Sequence, residues 1–447
     1  MYLLTNGRVI TRDEGGKGYY EKGAVAYEGT KIVEVGEEAV LRAKYPQAEI
    51  IDARGGVIMP AFINAHTHIY SALARGLSIV GNNPTNFYEV LDGTWWAMDR
   101  KLTLEGSRAS ADALYIDCIK QGVTTIFDHH AAYCEIPGSL FQIGESAKKF
   151  GIRSCLCYEV SDRDGEEKSI QAVKENADWI TYCQEKKDPM LAAMFGGHAL
   201  FTISDKTFDR MVEANNGRTG YHIHVSEGMN DVYDSLQNYG RRPVQRLHDH
   251  GILGDKTILG HCIHVNTAEM EIIKETGTMV VNNPESNMGN AIGICPVIQL
   301  YKRGILLGMG TDAYTNDMLE SLKVALCSQR SQNCLPNVGW CEVTDMLFKN
   351  NAKIGEKYFP DTLGVLKAGA AADIIVMDYK PYTPFSDENI DGHMIFGMTG
   401  RQCQTTIAAG RVLMRDRVLV GIDEEAENAH ILEASKKLWG DLNHRTY

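Results

Sequence analysis

Gly56-Val57-Ile58-Met59-Pro60-Ala61-Phe62-Ile63-Asn64-Ala65-His66-Thr67-His68 runs from an unbroken apolar stretch into two histidines one residue apart. The apolar part reads as a buried strand, and the histidines fall where that strand gives way to a loop. Alternate residues of a strand face the same side, so His66 and His68 aim two imidazoles at one point. One such pair is weak evidence for a metal, because the spacing arises easily by chance. Three later segments repeat the arrangement. Thr219-Gly220-Tyr221-His222-Ile223-His224-Val225-Ser226-Glu227 carries a second His-x-His with a carboxylate three residues on. Lys256-Thr257-Ile258-Leu259-Gly260-His261 ends an apolar run in histidine, and Gly304-Ile305-Leu306-Leu307-Gly308-Met309-Gly310-Thr311-Asp312 ends one in aspartate. Four strand ends with ligand-type side chains have an economical explanation in an α/β fold, a (β/α)8 TIM-like barrel, where every strand C-terminus opens on one face.

The rest of the chain fits that frame. Residues 122–128, 152–158, 190–195 and 278–282 supply the remaining strand candidates, eight in all, with helix-patterned stretches such as Leu104 to Gln121 between them. Short strands separated by glycine and charged turns occupy both ends, at residues 2–11, 23–27 and 31–36 and again at 363–378 and 405–414. Neither end has enough strands for a stable sheet alone, so residues 1–57 and 363–422 are expected to pair into one small β-sandwich beside a barrel of residues 58–362. Residues 423–447 are expected to carry a C-terminal helix on the outside.

The 447 residues, 44% of them hydrophobic, suffice for such a barrel and its companion. A net charge of −13 argues against nucleic acid or an anionic membrane as a main partner, since both need basic patches. Eleven cysteines without a paired framework suit reduced thiols better than a disulfide scaffold. Cys155-x-Cys157 and the spaced Cys327, Cys334 and Cys341 are read as ordinary packing residues rather than a metal site. With no secretory pattern and no apolar run of membrane-spanning length, the expectation is a cytoplasmic protein.

Taken together, Pro60 through His68, His224-Val225-Ser226-Glu227, Gly260-His261-Cys262, Pro284-x-Ser286-Asn287 with Gly293 and Pro296, and Gly310-Thr311-Asp312-Ala313 resemble the amidohydrolase superfamily, in its mononuclear deaminase branch. The run from Asn64 to Gly76, with Phe127-Asp128-His129-His130, is similar to the SsnA-type aminohydrolases. The resemblance spans nearly the whole chain. It implies the barrel with its small β-domain, and metal-dependent hydrolysis of a carbon–nitrogen bond other than a peptide bond. The specific expectation is deamination of a purine- or pyrimidine-like heterocycle with ammonia release. It also implies a homo-oligomer, a dimer. Chloride displacement or cyclic-amide hydrolysis at the same site is the alternative reaction, and an inactive scaffold the alternative of another class.

Neutral imidazoles and a carboxylate suit a catalytic divalent cation, and His66, His68, His224 and Asp312 are the expected ligands. Zinc is the first choice, although iron or manganese accepts the same set. By resemblance Glu227 shuttles the proton, Asp312 takes a proton from the attacking water, and His261 stabilises the adduct. In binuclear relatives the fourth strand ends in a carbamylated lysine. Here His198 ends it, while Lys186, Lys187 and Lys206 lie elsewhere, which argues for one metal. His198 is expected to contact substrate. Of His129 and His130 only one can face inward, and His130 is taken as a substrate contact. His222 and His264 read as structural. The long segment from Ile69 to Arg100 carries Tyr70, Phe87, Tyr88, Trp95 and Trp96, flat side chains suited to stacking on a planar ring, and Trp95 is singled out as a contact.

Overall fold

The structure, a computed structural model, describes residues 1–446. Five strands come first: β1 (Tyr2–Ile10), β2 (Tyr19–Glu28), β3 (Lys31–Glu37), β4 (Glu49–Asp52) and β5 (Val57–Pro60). Nine follow in alternation with helices: β6 (Phe62–Thr67), β7 (Val123–His130), β8 (Arg153–Tyr158), β9 (Leu191–Ala193), β10 (Phe195–Ala199), β11 (Tyr221–Val225), β12 (Ile258–His261), β13 (Met279–Asn282) and β14 (Leu307–Met309). The last four are β15 (Ile374–Met377), β16 (Cys403–Ala408), β17 (Arg411–Arg415) and β18 (Val418–Leu419).

The two ends of the chain meet in one sheet, ordered β18-β17-β16-β15-β5-β1-β2-β3 with β4 on β1. The strands expected to pair into one small β-sandwich are hydrogen-bonded into a single continuous path. The reason lies in β5, which pairs in parallel with β1 on one side and antiparallel with β15 on the other. Leu4, Val9, Val25, Ile58, Ile374 and Val376 form its core.

The apolar run that opens the decisive stretch thus belongs to two structures rather than one. Val57–Pro60 stays in the end sheet, and Phe62–Thr67 begins the central strands. Pro60 has no N–H to extend a ladder. Within two residues the backbone changes partners, from Ala61 N donating to Asp373 O (3.1 Å) to Phe62 N donating to Gly122 O (2.9 Å).

The central strands form two parallel sheets, β6-β7-β8-β9 and β10-β11-β12-β13-β14. β9 and β10 are halves of one strand, interrupted at Met194. The sheets meet at two bridges, Val160 with Gly197 and Thr67 with Asp312. Backbone bonds from His198 N to Val160 O (2.9 Å) and from Thr311 N to His66 O (2.9 Å) accompany them. All eight segments read as strands from the sequence carry one here. Fully buried Arg153, at the start of β8, forms ion pairs with Asp361 (3.3 Å) and Asp373, tying the central strands to the end sheet.

Helix Glu424–Asn443 lies across Leu104–Gln121, held by the ion pairs Lys149–Glu427 (2.7 Å) and Lys120–Glu424 (2.5 Å) and by buried Leu438. No helix among the described residues is long and apolar enough to cross a membrane. Cys155 and Cys157 are buried in the core as expected of packing residues, whereas Cys327, Cys334 and Cys341 are exposed.

Candidate metal centre and active site

The C-terminal ends of the central strands gather a nest of imidazoles whose tautomers follow from their partners. His68 Nδ1 lies 2.6 Å from the carbonyl oxygen of His129, and His224 Nδ1 lies 2.8 Å from that of His198. A carbonyl only accepts, so each Nδ1 carries the hydrogen and each Nε2 of the neutral ring is bare. Those two Nε2 atoms face each other at 3.2 Å. Two lone pairs at that distance repel unless positive charge sits between them. His66 Nε2 is buried without a hydrogen-bond partner, while its Nδ1 lies 2.7 Å from His222 Nε2. Ligand-type atoms of His66, His68 and His224 fall within 4.8 Å of one another, as do those of His66, His261 and Asp312. Two bare nitrogens, a third at His66 Nε2 when its Nδ1 donates to His222, and the Asp312 carboxylate beside them make the donor set of a divalent cation, and the residues fit one.

The electrostatics agree. Burial, then neighbouring histidines, pushes His66 and His224 well below the usual imidazole range, so both rings are neutral donors. Burial acts the same way on His68, but Asp312, whose Oδ1 lies 3.0 Å from its Nε2, outweighs it and raises the ring to about 9. This point favours positive charge, carried by a proton when no cation is bound. Burial alone would raise the Asp312 carboxyl. His68, His261 and Ser286 Oγ at 2.5 Å instead hold it well below the ordinary carboxylate range.

Glu227 follows β11 and reaches back over the nest, its Oε1 3.6 Å from His261 Nε2. Burial first, then the charges of Asp312 and Asp231, raises its carboxyl well above the ordinary value. It keeps its proton where Asp312 has lost one. His261 Nδ1 lies 2.7 Å from Asn287 Oδ1, and Asn287 Nδ2 donates to Asn282 Oδ1 (3.1 Å), which orients that amide. His261 Nε2 is thereby turned toward Asp312 Oδ2, also at 3.6 Å. Ser226, His261, Cys262 and Asp312 all hold left-handed backbone angles, φ between 48° and 69°. Each costs about 1–3 kcal/mol, and such strain gathers where surrounding structure imposes it for function.

A cavity opens beside this nest, with His68, His224, Glu227 and Asp312 on one wall and Tyr70, Phe87, Leu91, Trp95 and Trp96 on another. The segment after His68 is not a bare loop. It folds into short helical turns, Ile69–Ala74, Phe87–Val90, Leu91–Trp95 and Trp96–Asp99, which set these aromatic side chains at the cavity. His198 and Trp95, both expected at the substrate, line it.

His130 does not. Its ring packs near Tyr158 (5.9 Å between centroids) and Tyr70 (6.3 Å), fully buried and outside the cavity lining. Its neighbour His129 is the one turned into the nest, 4.5 Å from His224 and 5.5 Å from His68. His222, read as structural, touches the expected ligand His66 directly, whereas the His264 ring donates from Nε2 to Ile292 O (2.8 Å), away from the nest.

Glu159, unremarked in the sequence, also lines the cavity. It follows β8 directly, so the strand-end rule that marks His66, His224 and Asp312 marks it too. Burial opposes its charge, but the His129 ring and Arg163 hold its carboxyl down to about 2.

Residues 57–413 match the model of the amidohydrolase family, and residues 23–48 match an imidazolonepropionase-like composite domain of bacteria. The chain is 30% identical over 453 aligned residues to a 5'-deoxyadenosine deaminase of Methanosarcina barkeri, covering 99% of each protein. It is 30% identical to a 5-methylthioadenosine/S-adenosylhomocysteine deaminase of Thermococcus sibiricus, covering 92% of this chain and 93% of the relative. Among solved structures, an adenosine deaminase from Xanthomonas campestris with bound zinc superposes with a TM-score of 0.85 at 22% identity, covering 98% of both chains.

Proposed function

Because the chain belongs to the amidohydrolase family, we propose that it removes an amino group hydrolytically from a purine-like nitrogen heterocycle, releasing ammonia, at one divalent cation. Its eight central strands then act as a closed (β/α)8 barrel, the bridges at Val160–Gly197 and Thr67–Asp312 joining the two sheets. The observation that carries the reading is the pair of bare nitrogens, His68 Nε2 and His224 Nε2, facing each other at 3.2 Å beside Asp312.

His66, His68, His224 and Asp312 would hold the cation, and three neutral imidazoles with one carboxylate suit zinc. When bound, it lowers the pKa of a water from about 16 toward 7, making hydroxide available at neutral pH. Asp312, ionised and next to that position, accepts the proton the water gives up. Glu227, still protonated, delivers its proton to the ring nitrogen beside the amino-bearing carbon. His261 Nε2, fixed between the two carboxyl groups, borders the oxygen that adds to carbon. The C–O bond forms, the C–N bond breaks, the amine departs as ammonia with the proton Asp312 collected, and the hydroxyl proton of the adduct returns to Glu227 as the carbonyl forms.

Ammonia release by the zinc-loaded protein, screened over aminated purines, pterins, pyrimidines and triazines, tests this. Turnover with at least one aminated heterocycle, lost on removing the metal, is expected. Stoichiometric metal with no ammonia from any class would overturn it.

A further inference from the structure

Glu159 stands at the reacting end of the cavity. Its carboxylate belongs to one group with His68 and His129 and to another with His198 and His224, ligand-type atoms within 4.8 Å of one another in each. A sugar hydroxyl, on the far side of a purine from its amino carbon, does not reach there. Whatever Glu159 meets lies close to the carbon that reacts.

The groups beside it have fixed hydrogen-bonding senses. Thr202 Oγ1 donates to Ala199 O (3.0 Å), so it accepts from His198 Nδ1 (2.7 Å), which leaves His198 Nε2 an acceptor. That nitrogen lies 3.5 Å from Glu159 Oε1. Two acceptors cannot satisfy each other, so side by side they present a double-acceptor edge. Trp96 supplies the opposite sense. Its ring packs 5.7 Å from that of His198, it is 4% exposed, and its Nε1–H has no hydrogen-bond partner. A buried donor left unmatched is costly, which marks it as a place for a ligand atom.

The remaining contacts hold the edge in place. Glu159 Oε2 lies 3.3 Å from His129 Nδ1, and Arg163 lies 4.0 Å from Oε1. Arg163 pairs with buried Asp99, in the same turn as Trp96, and lies over the Trp96 ring at 5.1 Å. The carboxylate that follows β8 and the donor of the helical turn are thus braced against each other through Arg163.

We propose that Glu159, His198 and Trp96 read a substrate edge bearing two N–H donors and one acceptor beside the reacting carbon, so that the enzyme selects amino-lactam rings, such as guanine or isocytosine, over adenine-type rings. Guanine and isocytosine share an amino group, an adjacent ring N–H and a carbonyl oxygen, which complement two acceptors and one donor. Both classes keep one bare nitrogen beside the amino carbon for the proton of Glu227, but on the other side of that carbon an adenine-type ring has carbon rather than N–H and offers the Glu159 carboxylate no ring donor. This selection rests on the deaminase reading and narrows it.

The test compares ammonia release by the zinc-loaded enzyme from guanine and isocytosine with release from adenine and 5'-deoxyadenosine. The amino-lactams are expected to lead in kcat/KM by at least about 100-fold, as sites built to bond a substrate N–H reject analogues lacking it. Glu159→Gln should raise KM for the amino-lactams at least about 10-fold with metal content unchanged, and Glu159→Asp should keep the preference. Should Glu159→Gln fail to fold, Trp96→Phe removes only the donor and is expected to weaken the amino-lactams alone. Preference for the adenine compounds, or equal losses for both classes in the variants, would overturn the proposal. Calorimetric binding of guanine and isocytosine separates the two readings. Binding by the parent protein that Glu159→Gln loses, without ammonia, would sink the deaminase reading and leave the edge standing. Ammonia from adenine compounds with no amino-lactam binding would do the reverse.

Discussion

Replacing His222 with phenylalanine should weaken the grip on a divalent cation without disturbing the fold. The 2.7 Å contact between His66 Nδ1 and His222 Nε2 has two possible senses. If His66 donates, its Nε2 is bare and serves the cation; if His222 donates, His66 Nε2 carries the hydrogen and is useless as a ligand. The first sense leaves a hydrogen on His222 Nδ1, which is buried without a partner, so phenylalanine gives up a single hydrogen bond while filling nearly the same space. Partners that orient a ligand imidazole contribute about 10- to 100-fold in metal affinity, or about 1.4–2.7 kcal/mol at 1.36 kcal/mol per decade. His222→Gln, whose side-chain carbonyl accepts the same bond, should retain most of that affinity. Competition for zinc against a chromophoric chelator measures the effect. Affinity in His222→Phe within about threefold of the parent, with thermal unfolding unchanged, would refute the tautomer assignment and the ligand role it gives His66.

Glu227→Gln is expected to lower kcat by about 10²–10⁴-fold, the usual share of a positioned acid, with metal content retained. Glu227 is raised well above the ordinary carboxyl value, so its protonated fraction, and kcat with it, falls as pH rises through the raised value; a pH–rate profile should lose that alkaline limb in Glu227→Gln. By linkage the same proton stabilises the folded chain most below the unfolded value, and that contribution disappears as pH rises toward the folded one. Arg153→Met leaves Asp373 without its cation where the central strands meet the end sheet, while Asp361 keeps Lys31, and breaking a buried pair from one side should cost about 3–5 kcal/mol in denaturant unfolding. Stripping the cation should lower the melting temperature, since saturation at 100 times Kd stabilises by about 2.7 kcal/mol; an unchanged melting temperature in metal-free protein would count against the centre.

Much of this was open to reading in one dimension because strand ends carry local signals. An apolar run followed by histidine or aspartate needs no partner strand to be recognised, and His66, His68, His224, His261 and Asp312 do converge on one nest. Glu159 obeyed the same rule but stands one residue past the segment 152–158 read as a strand, so its place at a strand end did not show. His129 and His130 show the limit from the other side. Neighbours on a strand face opposite ways, and the sequence contains nothing that says which faces in. Register decides it, and the β6–β7 pairing shifts between Asn64 and Thr67, so counting along either strand does not give the answer.

The chain by itself determined the rhythm of strands and helices and the chemical character of each strand end, because hydrophobic period and side-chain type are properties of short segments. Tertiary structure alone decided that Val57–Pro60 joins β1 to β15, that His222 backs His66, and that Glu159 meets His198. Each of those is a meeting of residues tens to hundreds of positions apart, where a hydrogen bond has a partner only once packing has brought the partner within about 3 Å.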